Sequence, residues 1–135
     1  MNIIYNIEDL DDIAKLLVSQ AKSNLILFHG DMGVGKTTLI KAILKHLGCN
    51  ADSKSPTFSI VEEYNCQAGS LVYHMDCYRL ENEEEAYEMG LYEYFDEEHL
   101  TLIEWPSRIS AMLPDSGLNV YLEFVDPDTR KISLK

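Results

Sequence analysis

Residues 30–37 read Gly-Asp-Met-Gly-Val-Gly-Lys-Thr and fill every fixed position of the pattern G-x-x-x-x-G-K-[ST]. Gly30 and Gly35 free the backbone to wrap an anion and aim N–H groups at it. A helix starting at this point adds the positive end of its dipole. In such a loop Lys36 reaches the β- and γ-phosphates of a nucleotide, and the Thr37 hydroxyl ligates Mg²⁺. Asp31, Met32, Gly33, Val34 and Thr38 belong to the same cradle. With about 7% Gly, 6% Lys and 12% Ser plus Thr, chance produces this pattern in roughly one chain of this length in 200. A glycine turn that merely precedes a helix is the alternative. The flanks argue against it, because an apolar run leads in and an apolar helix leads out, as the chemistry requires.

Nucleotide chemistry at such a loop also needs a carboxylate near the metal, and two are candidates. Asp76 ends the run Leu71–Met75, and Glu104 ends Leu100–Ile103. Either could hold the Mg²⁺ shell, directly or through water, while the other orients the attacking water. Either alone would be an ordinary solvated strand-end acid. Together, beside a complete phosphate loop, they read as functional. Ser55-Pro56-Thr57 is a loop whose direction Pro56 fixes. Thr57 could sense a γ-phosphate through its hydroxyl, and an ordinary turn before a strand is an equal reading. His74 alternates onto the strand face of Asp76, so it could hydrogen-bond that carboxylate or simply be a satisfied, half-buried histidine.

These groups need a scaffold, and the apolar pattern supplies one. Asn6 with Asp9 marks a helix start, and Leu10, Ile13, Leu17 and Ala21 form its apolar stripe. Leu25–His29 is an unbroken apolar run, as in a parallel strand covered on both faces. The helix after the loop carries Leu39, Ile40, Ile43, Leu44 and Leu47 and stops at Gly48. Phe58–Tyr64 and Leu71–Met75 read as strands joined by the turn at 67–70. A helix opens at Asn82, with Tyr87, Leu91 and Tyr94 expected on its core face. Leu100–Glu104 is a further strand, a short helix covers 107–112, and 118–134 forms a terminal hairpin. The pattern predicts one domain over residues 1–135, a three-layer α/β fold with a mainly parallel central sheet flanked by helices and an antiparallel C-terminal hairpin. Ligands in such sheets bind at the carboxyl ends of the strands, where the loop, Asp76 and Glu104 all fall.

The charge constrains partners. Against 23 acids stand 11 Lys and Arg, a net −12, and no basic stripe is present. Free-standing nucleic-acid binding draws on phosphate neutralisation, so a direct grip on tRNA by the isolated chain is not expected. Three dispersed cysteines (Cys49, Cys66, Cys77) without a C-x-x-C pair read as reduced thiols. No signal peptide or membrane span is apparent, so the expected setting is cytoplasmic.

Guanine readers of the small GTPase kind carry N-K-x-D and D-x-x-G, and neither string occurs. A small-molecule kinase would add an arginine-rich lid, whereas Arg79, Arg108 and Arg130 are scattered. A minimal ATPase fits best. The competing readings are a small-molecule kinase, marked by acceptor-dependent ATP use, and a sensor that binds MgATP without hydrolysing it.

Taken in order, the glycine loop through Thr38, Ser55-Pro56-Thr57-Phe58, His74-Met75-Asp76-Cys77-Tyr78-Arg79 and Glu104-Trp105-Pro106 resemble the TsaE family. That family is the bacterial ATPase of tRNA threonylcarbamoyladenosine biosynthesis, and the resemblance spans nearly the whole chain. It implies partnership with TsaD and TsaB, which carry out the transfer, while this chain sustains repeated turnover through ATP and Mg²⁺. It further implies that Lys36 and Thr37 bind phosphate and Mg²⁺, that Glu104 is the metal-linked acid and that Asp76 is a second essential carboxylate. Thr57 falls on a switch-like loop, Trp105 lies beside the site, and the turn near Asn6 approaches the adenine. Cys77 stands where an aliphatic residue is more usual, and Ser107 where a longer polar side chain is common.

Overall fold

A computed structural model describes residues 1–50, 60–96 and 98–135. Among these residues seven strands form one sheet: β1 Asn2–Asn6, β2 Leu25–His29, β3 Val61–Asn65, β4 Leu71–Asp76, β5 Leu100–Glu104, β6 Leu118–Asp126 and β7 Thr129–Leu134. The α-helices among the described residues are α1 Leu10–Gln20, α2 Lys36–His46 and α3 Glu83–Glu88. The spatial order is β1-β7-β6-β2-β5-β4-β3. The four central strands, β6, β2, β5 and β4, run parallel. Both edges are closed by antiparallel pairs, β7 and β1 on one side and β3 on the other. The expected α/β fold with its antiparallel C-terminal hairpin is present.

Period-two alternation sorts the central strands onto two cores. Ile26, Phe28 and Leu102 face one way and meet Ile13, Leu17, Leu39 and Ile43 of α1 and α2. Leu25, Leu27, Met75 and Ile103 face the other way and meet Ala86, Leu91 and Ile109. A strand covered on both sides has no polar face to show, which is why β2 reads as a continuous apolar run. The parallel direction brings the carboxyl ends of β2, β4 and β5 to one edge of the sheet. Register makes this tight, for Phe28 pairs with Glu104, and Glu104 with Asp76.

Several elements differ from their expected form. The N-terminal residues form the edge strand β1, which the sequence reading left unassigned, and a 3₁₀ turn at Ile7–Asp9 precedes α1. There the Asn6 N–H donates to Asp9 Oδ2 at 3.1 Å, the reciprocal cap that the spacing predicts. β3 begins at Val61, and the expected strand start at Phe58 lies outside the described residues. α3 does not carry the expected aromatic stripe through Tyr94. It ends at Glu88, and Gly90, at φ 73°, turns the chain into a 3₁₀ segment, Leu91–Tyr94. Leu91 is buried, Tyr94 half-buried, and Tyr87 stands 50% exposed. Glycine's freedom at positive φ breaks a periodicity that apolar spacing alone cannot see broken.

The reading of three reduced thiols is also corrected. Cys49 and Cys66 are disulfide-bonded, and Cys77 is free and buried. The pair meets because the chain after α2 runs back along β3, where Asn50 N–H donates to Asn65 carbonyl at 3.0 Å. Sequence spacing carries no trace of that approach.

Candidate nucleotide site

The loop leaves β2 through Gly30 at φ 150° and enters α2 through Gly35 at φ 111°. Side chains rarely adopt these angles. At Gly30 space is closed as well, since a Cβ would sit 2.9 Å from both the Leu122 carbonyl oxygen and Val34 Cγ1. The loop is therefore built of glycine for close packing at one end and for backbone curvature at the other. Val34 is buried beneath it, while Asp31, Met32 and Gly33 are exposed at the rim. Thr37 and Thr38, in the first turn of α2, are exposed to the cleft.

That cleft holds about 440 Å³ and runs from the loop to Asp76, Tyr78, Glu104 and Trp105. Thr37 Oγ1 donates to Glu104 Oε1 at 2.9 Å across 67 residues of sequence. Glu104 Oε2 lies 2.8 Å from His74 Nε2. The carboxylate is only 4% exposed. Burial on its own would raise its pKa, but the His74 and Thr37 hydrogen bonds and the nearby Lys36 charge outweigh it, and Glu104 is held below the usual carboxylate range. It is ionised at neutral pH. Asp76, one strand over and paired with Glu104 in register, is exposed, and its Oδ1 accepts from the Tyr78 N–H at 3.2 Å.

Lys36 lines this cleft, although the residue as a whole is only 5% exposed. Nζ donates to the Gly30 carbonyl and lies 3.7 Å from the centre of the Trp105 ring, a cation–π contact. Burial pushes the Lys36 pKa down, and the negative charges of Glu104, Asp76 and Asp31 pull it partly back. Trp105 reaches this position by an unusual backbone, φ 57° and ψ 50°, directly after β5. The left-handed region costs a non-glycine residue roughly 1–2 kcal/mol. Here it folds the indole back over the loop, against Tyr78 at 5.0 Å between centroids.

His74 shares a face with Asp76, as alternation predicts, but its partner is Glu104, not Asp76. In a parallel pair the diagonal neighbour is within reach, and His74 sits opposite Leu102, two residues before Glu104. Arg130, one of three scattered arginines in the sequence, reaches the phosphate loop. From β7 its Nε donates to the Val34 carbonyl at 2.8 Å, tying the C-terminal hairpin to the phosphate loop. No local signal marks a contact across 96 residues. Asn6 does not line the cleft. Its Oδ1 accepts from Thr129 Oγ1 at 3.1 Å, next to Arg130. Thr57 lies outside the described residues.

The donor set is chemically hard. A hydroxyl and a buried ionised carboxylate meet at the start of α2, with a second, exposed carboxylate alongside, and such oxygens suit Mg²⁺, which keeps several waters and takes few protein ligands. Among the described residues no group of three or more His, Cys, Asp and Glu side chains could hold a metal alone. A cation here would complete its shell with water and phosphate oxygens.

Comparison with known proteins places the chain in a family. The profile of the family described as "Threonylcarbamoyl adenosine biosynthesis protein TsaE" matches residues 4–132. The chain belongs to the TsaE family. Among curated relatives, the Haemophilus influenzae tRNA threonylcarbamoyladenosine biosynthesis protein TsaE is 41% identical over 113 residues, 84% of this chain and 70% of that protein. The Bacillus subtilis TsaE is 40% identical over 129 residues, 95% of this chain and 80% of that protein. A crystal structure of Bacillus subtilis YdiB superposes with a TM-score of 0.73 at 31% identity, covering 99% of this chain and 84% of that one. TsaE proteins serve tRNA threonylcarbamoyladenosine biosynthesis, and this chain shares the fold of the superposed structure. Among the described residues no helix is long and apolar enough to cross a membrane.

Proposed function

We propose that this chain binds ATP with Mg²⁺ in the cleft at the phosphate loop, hydrolyses it, and thereby acts as the accessory ATPase of tRNA threonylcarbamoyladenosine formation in the cytoplasm. Its partners are TsaD and TsaB, which carry out the transfer. The observation that supports this best is the Thr37–Glu104 contact at 2.9 Å, which sets a hydroxyl and an ionised carboxylate together at the first turn of α2.

Within this reading each residue has a task that its position permits. The N–H groups of residues 31–38 and the N-terminal end of α2 hold the phosphates. Lys36 leaves the Gly30 carbonyl and aims its ammonium at the β- and γ-phosphate oxygens. Trp105 covers that lysine and keeps water from one side of it. Thr37 and Glu104 are the protein ligands of Mg²⁺, which when bound neutralises charge on the phosphates. Asp76, exposed and next to Glu104, orients the attacking water. On sequence grounds Thr57 is assigned to sensing the γ-phosphate, and Asn6 to the adenine side through the turn that touches β7.

The test is steady-state MgATP hydrolysis by the purified chain, alone and with TsaB and TsaD. A slow basal rate that rises with the partners supports the accessory role. A rate indifferent to folded, active partners removes it, and phosphate appearing only with an added acceptor would mark a kinase instead.

A further inference from the structure

We propose that His74 is a positioning residue for the divalent-cation site: its imidazole anchors one oxygen of Glu104 so that the other stays turned toward Thr37. The inference rests on the MgATP reading above and gives His74 a role there that its place in the sequence left open.

The two oxygens of the Glu104 carboxylate have separate partners. Oε1 accepts from Thr37 Oγ1 at 2.9 Å, and Oε2 lies 2.8 Å from His74 Nε2. An ionised carboxylate only accepts, so the His74 contact requires the proton on Nε2. The opposite ring nitrogen, Nδ1, faces Glu62 Oε2 at 3.8 Å, beyond a direct hydrogen bond. Glu62 is itself fixed, because Oε2 accepts from the Tyr64 hydroxyl at 2.9 Å. The register of β3 and β4 sets Glu62 opposite His74, so the ring is flanked by one strand's acid on each side.

Both members of the central pair are buried, His74 at 9% and Glu104 at 4% exposure. Water therefore cannot easily replace the imidazole as partner of Oε2. Groups that bind a metal ligand's far side fix its orientation, and their loss typically costs about 10- to 100-fold in metal affinity. Without the anchor, Glu104 can rotate and present a different oxygen to the first turn of α2. The consequence falls on cation binding and leaves the phosphate loop intact.

Two polar substitutions separate the readings. In His74→Gln the amide nitrogen reaches the place of Nε2 and keeps the bond. In His74→Asn it reaches only the place of Nδ1 and loses it. Calorimetric titration with a non-hydrolysable ATP analogue gives affinity in excess Mg²⁺ and in EDTA, and their ratio is the gain due to the cation. His74→Asn should reduce that gain about tenfold with the EDTA affinity unchanged, while His74→Gln retains most of it. Equal gains in folded Asn and Gln variants would overturn the proposal, as would equal losses in both buffers, which mark a purely structural histidine. If the unsubstituted chain shows no Mg²⁺ gain, or Thr37→Ala and Glu104→Gln leave it untouched, the MgATP reading itself fails and this inference falls with it. Melting temperatures identify any variant that fails to fold.

Discussion

Lys36 is the residue on which the chemistry turns, and its burial sharpens what its removal should do. Replacing it with alanine takes away the charge aimed at the phosphates, so hydrolysis should fall by ~100- to 1000-fold, the scale for losing one aligned electrostatic group. The near-ultraviolet circular dichroism should change only at Trp105, which loses its cation. Normal turnover in Lys36→Ala would place the site elsewhere. Cys77 gives a second prediction, on pH. Burial, with the Asp76 charge adding to it, pushes the Cys77 thiol up to about 12 from an ordinary 9.0. A pKa raised on folding stabilises the fold fully below 9.0 and is lost as pH rises through the folded value. Urea midpoints should therefore decline from pH 9 toward pH 11, and decline less steeply in Cys77→Ala. Parallel slopes would mean that Cys77 does not contribute. At this scale the sequence was informative where a motif is contiguous: Lys36 and Thr37 follow from eight residues alone. Pairing across strands was not, since the His74–Glu104 bond depends on the register of β4 against β5. Arg130 depends on the return of β7 to the loop.

At the scale of elements the site is a meeting of three strand ends and one helix start. What holds the loop in place is close packing at Gly30, where the β6 backbone comes within van der Waals range. Gly30→Ala puts a Cβ 2.9 Å from both the Leu122 carbonyl oxygen and Val34 Cγ1, at φ 150° as well, and overpacking of this kind costs about 1–3 kcal/mol. Equilibrium urea denaturation should show that loss, together with weaker nucleotide binding. An unchanged midpoint would mean that the loop relaxes freely and that β6 does not buttress it. Long apolar elements such as β2 and α2 were readable because burial on two faces or one stripe leaves a periodic trace. β1 was not, because five edge residues with mixed exposure lack one. The end of α3 was hidden for a different reason. Gly90 interrupts the helix inside a run whose spacing still looked helical.

For the whole molecule, charge argues most directly about partners. Nine of the 23 acids fall between residues 81 and 98, a span without Lys or Arg, leaving −12 − (−9) = −3 for the rest of the chain. Such a field repels nucleic acid and favours a basic protein surface. The isolated chain should accordingly show no salt-sensitive tRNA binding in a gel-shift or fluorescence titration. Affinity that falls steeply with salt would contradict an indirect role in tRNA modification. Fold class was legible here because alternating strands and helices admit few architectures. The disulfide between Cys49 and Cys66 was not, because only tertiary folding brings the end of α2 beside β3.

On the function proposed above, Lys36, Thr37 and Glu104 form one site for a nucleotide phosphate and its Mg²⁺. Calorimetric titration of the purified chain with a non-hydrolysable ATP analogue, beside Lys36→Ala and Glu104→Gln, tests it most directly. One-to-one binding should strengthen with Mg²⁺, be lost or much weakened in Lys36→Ala, and no longer respond to the cation in Glu104→Gln. Binding that both substitutions leave unchanged, or no binding at all by the folded chain, would contradict it.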